Sequence, residues 1–466
     1  MVRKISIDPA NTFVIAILLL GGYFRFVAYG DFGLSVANPE TLSYIESSRA
    51  RIFSWDIFAG RRLFTTNLLY KLANDADKCP IPPYSAPAIG EERPREIHPC
   101  FDAIVKLQNW LAIISWIFLA LIISRWLNTL FAKITAPLII LLFAFTPQIA
   151  EWESILSPES LSLSLLAASF GFLVELSLTL AHGKEQIGNK KFRLILVAWF
   201  VVYSLWIFIR DVHLYTIVPT VILIALLLFF KSFTKSLPLI IIISFLGGVF
   251  VLGYLSAKDG FRATNGPLNH AFDAYIWPYP ARVEIMEQYG MPDRDSAEFK
   301  TWFGANATKT YAYFLATHPR FVISTLWNHM AEFTSDFIQP YYDAGKLPNR
   351  NSLVLIGEMV HPETGAVFLI DSLLLLVLIF VAIKSKRALS MAWCWLAIWL
   401  FAVAITSLLP SFFGDVGGTH RHIFPSIELL RLFMWVFLIQ QMDALLTMQG
   451  VESSEKYNSH EDGLKA

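Results

Sequence analysis

Charge is scarce in this sequence. Asp, Glu, Lys and Arg make up 16% of its 466 residues, where a soluble domain carries about 25%. What charge there is cancels, 37 basic against 37 acidic side chains, which argues against nucleic acid as a partner. Cysteine is nearly absent: Cys79, Cys100 and Cys394 are the whole complement. No Gly-rich phosphate loop, serine-nucleophile elbow or zincin-type histidine pair occurs, and His213, His270, His318, His329 and His361 are scattered. There is no internal repeat. A cytoplasmic nucleotide-sugar enzyme is disfavoured, because the segments between apolar runs on the basic side are too short to house one.

Apolar residues are what the chain has in excess, 55% of the total. They recur in runs of about 20, each long enough to cross a hydrocarbon core of about 30 Å. The runs are continuous rather than alternating, so the expected fold is an all-α polytopic membrane bundle, not a barrel. Ten spans are expected, near 12–29, 108–124, 134–150, 158–181, 193–209, 214–230, 237–255, 364–383, 389–410 and 424–445. Lys and Arg gather in "VRK", "RWLNTLFAK", "HGKEQIGNKKFR", "KSFTKS" and "KSKR", the N-terminal tail and every second connection. By the positive-inside rule these lie in the cytoplasm, with both termini. A cleaved signal peptide is the rival reading of the first span.

The organisation that follows is a tail and first span (1–29), a first outward loop with a short amphipathic helix (30–107) and spans two to seven (108–255). A second large outward loop (256–363), spans eight to ten (364–445) and a disordered cytoplasmic tail (446–466) complete it. Cys79 and Cys100 share the first outward loop, where an oxidising location permits a disulfide worth about 3 kcal/mol.

In "ANPETLSYIESSRA", Ala37 to Ala50, Asn38 reads as a helix N-cap, Pro39 as the first helical residue and Glu40 as an acid in the first turn. Steps of four and three from Glu40 reach Tyr44, Ser47 and Arg51, one polar face. Leu42, Ile45, Ile52 and Phe53 form the apolar side. The plain explanation is that Glu40 complements the helix dipole. "SPES" repeats the pattern, with Ser157 as cap, Pro158 first and then Glu159.

A first span followed by "PETLSYIESSRARIF" resembles the GT-C superfamily of bacterial membrane glycosyltransferases that use polyprenyl-phosphate sugars. There an acid early in the first outer loop is commonly followed by Tyr, as Glu40 is by Tyr44; this chain has Glu where Asp is usual. "ESILSPESLSLSLLAAS", "WIFIRDVHLY", "YAYFLATHPRFV" and "GDVGGTHRHIFPSIELLRLF" are similar to later segments of such enzymes, in the same order. The resemblance implies a donor sugar on a polyprenyl phosphate, an envelope glycan, lipid or protein acceptor, and transfer with inversion on the periplasmic face of the bacterial inner membrane.

It also implies roles. Glu40 would be the catalytic base, and partial burial is expected to raise its pKa from about 4.3 toward the working range. Tyr44, Arg210, Asp211, Glu159, His420, Arg421 and His422 would bind substrate, the arginines by gripping phosphate. Each has a plainer reading: "THRHIFPS" as the polar border of a span, Arg210–Asp211 as a local ion pair, Glu159 as a cap. No cofactor is demanded. A divalent cation could sit between Glu40 and the acids Glu151, Glu153 and Glu159, although no compact ligand motif accompanies them. Aromatics in "YIWPYP" (275–280) and "FIQPYYDAG" (337–345) could stack on sugars or belong to the interfacial belt.

Two other functions compete: a transporter or flippase of lipid-linked glycans, and a polymerase-like assembly factor. Transport sites sit near mid-membrane, whereas here the suggestive charges fall at span ends, with Glu175 the main exception.

Overall fold

The computed structural model describes residues 9–29, 31–73, 79–80, 99–183, 189–229, 237–260, 262, 266–334, 349–414 and 419–464; at 9–10, 237, 419–420 and 450–464 only the backbone is described. Helices occupy all ten expected span positions. α1 is Pro9–Ala28; α2, α3 and α4 (Thr41–Ser48, Trp55–Ala59, Phe64–Ala73) belong to the first loop. The bundle continues with α5 (Asp102–Trp126), α6 (Leu130–Phe145), α7 (Pro147–Ala150), α8 (Pro158–His182), α9 (Lys190–Ile207), α10 (Ile217–Leu227) and α11 (Leu237–Asp259). The second loop holds α12–α18 (Pro267–Tyr275, Pro280–Gln288, Ala297–Trp302, Thr308–Thr317, Pro319–Asn328, Met330–Thr334, Arg350–Val360). α19 (Ala366–Ser385), α20 (Ala388–Gly414) and α21 (Thr419–Leu464) close the chain. This is an all-α, multi-pass membrane protein.

Among the described residues seven helices are long and apolar enough to cross a membrane, and the bent pair α6–α7 brings the count to eight; the helices at two further expected positions, α9 and α10, fall short of that measure. The shortfall has local causes. α9 opens with Lys190, Lys191 and Arg193, whose long stems carry the charge toward an interface. The helical stretch Asp211–Leu227 is short. Beyond the last span the backbone stays helical to Leu464, where an irregular tail was expected: a span already nucleated propagates into polar residues at little further entropic cost.

The α6–α7 break is dictated by Pro147. Proline has no N–H to donate and pushes the residue before it out of the helical region. Thr146 accordingly takes an extended conformation (ψ 160°), and the chain bends by 48°. The bend turns 151–157 across the end of the bundle, where Ile155 forms a parallel β-bridge with Val36. Val36 donates to the Ser154 carbonyl and Leu156 donates to that of Val36, both at 2.9 Å.

The main core lies among α5, α6, α8, α20 and α21, with Trp116, Phe143, Phe170, Trp399 and Phe433 nearly or fully buried. A second core, under the second loop, gathers Leu268, Phe272, Met286, Trp302, Tyr311 and Phe314. Tyr279, in the first aromatic stretch, is half exposed with Arg282 over its ring; the stretch 337–345 lies outside the described residues.

Cys79 and Cys100 are bonded, with 5.9 Å between their Cα atoms. Replacing both by Ser is expected to remove about 3 kcal/mol by opening the loop in the unfolded chain. A lowered thermal midpoint of the purified variant, matched by reduced wild type, checks this.

Three clusters of buried charge brace the bundle. Arg25 in the last turn of α1 donates to Glu153 (Nε–Oε2 2.8 Å) and also to Asn109. Glu151 takes both hydrogen bonds of Arg350, at 2.7 and 2.9 Å. His361, Glu428 and Arg431 are fully buried: Glu428 accepts from His361 at 2.6 Å and from Arg431 at 2.7 Å. Arg431 also donates to the carbonyls of Thr334 and Pro362, and the other ring nitrogen of His361 faces the Phe143 carbonyl. At the basic end, Glu175 accepts from Arg125 and from the Trp126 indole.

Candidate functional site

The Val36–Ile155 bridge sets the starts of α2 and α8 side by side. On the first strand Asn38 does not begin a helix. Its side-chain oxygen accepts from the Glu40 N–H at 2.9 Å, so Pro39 and Glu40 form a turn and the helix starts at Thr41. Thr41 accepts from the Asn38 N–H and donates to the Leu156 carbonyl, pinning this turn to the second strand. There Ser157 and Pro158 open α8 as expected, although the Ser157 side chain makes no capping bond. Glu40 and Glu159 therefore each follow a proline just past a shared bridge.

Around these acids three arginines converge. Arg421, near the start of α21, reaches Glu40 (Nη2–Oε2 2.8 Å) and Glu159 (Nε–Oε1 3.2 Å). Arg210, in the extended residue after α9, donates to Glu159 Oε1 at 2.7 Å and to the His422 carbonyl at 2.9 Å. The third, Arg62, lies 3.2 Å from Glu40 Oε2. Arg62 is held by its own contacts: Nε donates to Ser43, its guanidinium sits 4.2 Å over the Tyr44 ring, and its carbonyl takes Asn67.

The Glu40 carboxylate is used unevenly. Oε2 receives the Tyr44 hydroxyl at 2.9 Å together with Arg62 and Arg421. Oε1 has no hydrogen-bond partner among the described residues, and the side chain is 31% exposed, so this oxygen faces outward. Burial pushes the carboxyl up, but Arg421, Arg62, His422 and the Tyr44 hydroxyl outweigh it and hold the pKa at about 2. This reverses the expected rise: desolvation acts, yet two guanidiniums act more strongly. Burial pushes the Tyr44 phenol above its ordinary range, so it stays a donor to Glu40. Glu159 is fully buried, and its Oε2 has no partner among the described residues.

Of the residues singled out from sequence, Glu40, Tyr44, Glu159, Arg210, Arg421 and His422 meet here. Arg210 and Asp211 are not an ion pair with each other. Asp211 gives both oxygens to Arg262 at 2.8 and 2.9 Å, and Arg262 also holds the Gly60 carbonyl, which braces the turn carrying Arg62. The side chain of His420 lies outside the described residues. Glu151 and Glu153 turn to Arg350 and Arg25 instead of joining Glu40, and no three acidic, histidine or cysteine side chains form a metal-binding group among the described residues. Arg62 was missed; nothing in "GRRLF" distinguishes it from a surface turn. Arg25 had a signal, a lone cation inside an apolar span, which needs a buried partner.

No family model matches this sequence, and no curated protein does. Among solved structures, the Archaeoglobus fulgidus oligosaccharyltransferase in its apo form is similar at 12% identity and a TM-score of 0.48, over 97% of this chain and 53% of that one. The archaeal oligosaccharyltransferase AglB from the same organism, in complex with an inhibitory peptide and a dolichol-phosphate, is similar at 10% identity and a TM-score of 0.46, over 95% and 52%. The chain spans about half the length of these structures.

Proposed function

We propose that this protein is a membrane glycosyltransferase of the GT-C type. It moves a sugar from a polyprenyl-phosphate donor to a glycan, lipid or protein acceptor at the outer face of a bacterial inner membrane. The observation that carries this reading is a partly exposed site in which, among the described residues, three guanidiniums meet two carboxylates, one of which turns a free oxygen outward. The guanidiniums suit a phosphate, and the free oxygen suits a hydroxyl.

The chemistry is a single displacement. The acceptor oxygen attacks the anomeric carbon from the side opposite the phosphate and the bond to the phosphate oxygen breaks. The phosphate leaves with the electron pair and the configuration inverts. Glu40 Oε1 takes the hydroxyl proton. The leaving group is already anionic and needs cations rather than an acid, which Arg421 and Arg62 supply through charge-assisted hydrogen bonds. Tyr44 keeps the carboxylate turned, so that its open oxygen is presented in one direction.

The His361–Glu428–Arg431 cluster has no exposure and spends its donors on backbone carbonyls of the loop ends, so it reads as a brace. Deleting the gene and comparing envelope glycans by mass tests the reading. The expected result is loss of one hexose, pentose or modified sugar from a single glycan species. Unchanged glycan masses would count against the enzyme, and build-up of the fully sugared lipid intermediate would favour a flippase.

A further inference from the structure

At the end of the bundle opposite Glu40, the last turns of α5 and α8 and the first turn of α9 surround a cavity of about 170 Å³, room for several water-sized groups. His182, in its wall, lies about 35 Å along α8 from Glu159 at a helical rise of about 1.5 Å per residue, so the cavity is no part of the candidate active site. The wall carries both signs of charge: Arg125 and Lys191 supply cations and Glu175 an anion, beside the rings of Trp126, His182 and Phe192. Glu175 is nearly buried, and each of its oxygens accepts one hydrogen bond, from Arg125 at 3.1 Å and from the Trp126 indole at 2.8 Å. A carboxylate offers about four acceptor positions, so Glu175 can take more. Arg125 spends one N–H on Glu175 and its side chain is 55% exposed, which leaves donors of its fork for another group. Asn189 caps α9 by accepting from the Lys191 N–H at 2.9 Å, and so fixes the turn that brings Lys191 to the cavity.

An apolar track adjoins the polar wall. Leu194 follows Lys191 by three positions, on the same side of α9, and Val197 and Val201 continue the line; all three are exposed. A charged cavity at a span border, next to a bare apolar helix face, has the profile of an amphiphile. We propose that the cavity holds the head of a membrane phospholipid that carries a primary amine. Its phosphate lies between Arg125 and Lys191, its ammonium on Glu175, and an acyl chain along Leu194, Val197 and Val201. Basic pockets between spans suit lipid phosphates, and the two cations bind one through charge-assisted hydrogen bonds. Glu175 selects among heads: a purely anionic one would meet a carboxylate inside the same small cavity, whereas an ammonium gains an acceptor there. The bound lipid ties the ends of α5, α8 and α9 together in the leaflet away from Glu40. This site is independent of the sugar-transfer reading.

The test is lipid binding to the full-length protein in mild detergent, read as the occupancy of the first bound lipid by native mass spectrometry. Phosphatidylethanolamine, phosphatidylglycerol and phosphatidylcholine are titrated in turn, with soluble phosphoethanolamine and inorganic phosphate as separate additions. The expected result is that phosphatidylethanolamine binds at least about tenfold more tightly than the other two lipids, the worth of one charge-assisted hydrogen bond. Phosphatidylcholine keeps the positive charge but has no N–H to donate, and phosphatidylglycerol has neither. Lys191→Gln should weaken all three lipids. Glu175→Gln should abolish the preference for the amine while leaving phosphatidylglycerol at least as tightly bound. Arg193→Gln, which removes a cation of the same helix outside the cavity wall, should change nothing.

A preference for phosphatidylethanolamine that survives Glu175→Gln, or binding as sensitive to Arg193→Gln as to Lys191→Gln, overturns the site. Equal or tighter binding of phosphatidylglycerol overturns the amine. Soluble phosphoethanolamine or inorganic phosphate binding as tightly as the lipid overturns the acyl track and with it the lipid. Lys191 and Arg193 are exposed, so their variants keep the test decidable even where Glu175→Gln fails to fold.

Discussion

Glu40→Gln should lower the rate of sugar transfer by about 10³-fold, within the range a general base supplies, while leaving abundance and thermal stability close to wild type. The amide keeps the shape of the side chain and an oxygen for the Tyr44 hydroxyl, and Arg421 retains Glu159 as a partner. The loss should fall on kcat, because a proton acceptor matters most in the transition state. Glu40→Asp withdraws the carboxylate by one methylene from Arg421 and should fall between the two. Transfer assayed with a lipid-linked donor and purified variants decides the matter; near-normal kcat in Glu40→Gln would remove the base from the mechanism. A pH profile adds a second check. In the free enzyme Glu40 remains ionised down to about 2, so its protonation should not produce an acid limb in kcat/KM between pH 4 and 7.

Glu428→Ala is expected to have the largest effect on stability, about 3–5 kcal/mol, since it strands the buried Arg431 guanidinium and the His361 ring without their shared carboxylate. Glu428 is the shared acceptor of His361 and Arg431, and all three side chains are sealed from solvent. The same cluster ties α21 to the Thr334 and Pro362 carbonyls, so the second loop should lose its anchorage with it. Thermal unfolding of the purified variant, together with faster proteolysis between 349 and 362, measures both effects. Glu428→Met combined with Arg431→Met replaces the ion pair by packing and should recover much of the loss. A double variant no better than Glu428→Ala would place the effect in shape rather than charge.

The bundle was readable from sequence because apolarity over about 20 residues is a local property. Where a helix at an expected position falls short of a span by length or composition, the cause is also local: basic residues at the head of α9 and the shortness of the stretch 211–227. Glu40, Tyr44 and Glu159 could be found because proline and an acid at a helix start leave a mark in the chain. The sign of the Glu40 shift could not be found that way. It depends on Arg421, 381 positions away, and on Arg62, which reaches the site only because Arg262 and Asn67 hold its turn. Glu428 and Arg431 were in view as part of "SIELLRLF", but their partner His361 lies in another loop, among scattered histidines with no spacing to single it out. Long-range charge pairing has no period and no composition, so the sequence carries the participants without the partnerships.

The single bridge between Val36 and Ile155 works as a ruler. Glu40 lies four positions after Val36, and Glu159 four after Ile155; one residue inserted in either arm would carry its acid roughly 3 Å along the strand, beyond the reach of the guanidinium it shares. Length variation among relatives should therefore stay out of these two short arms, so that an alignment can be anchored on their spacing even where the residue letters have drifted.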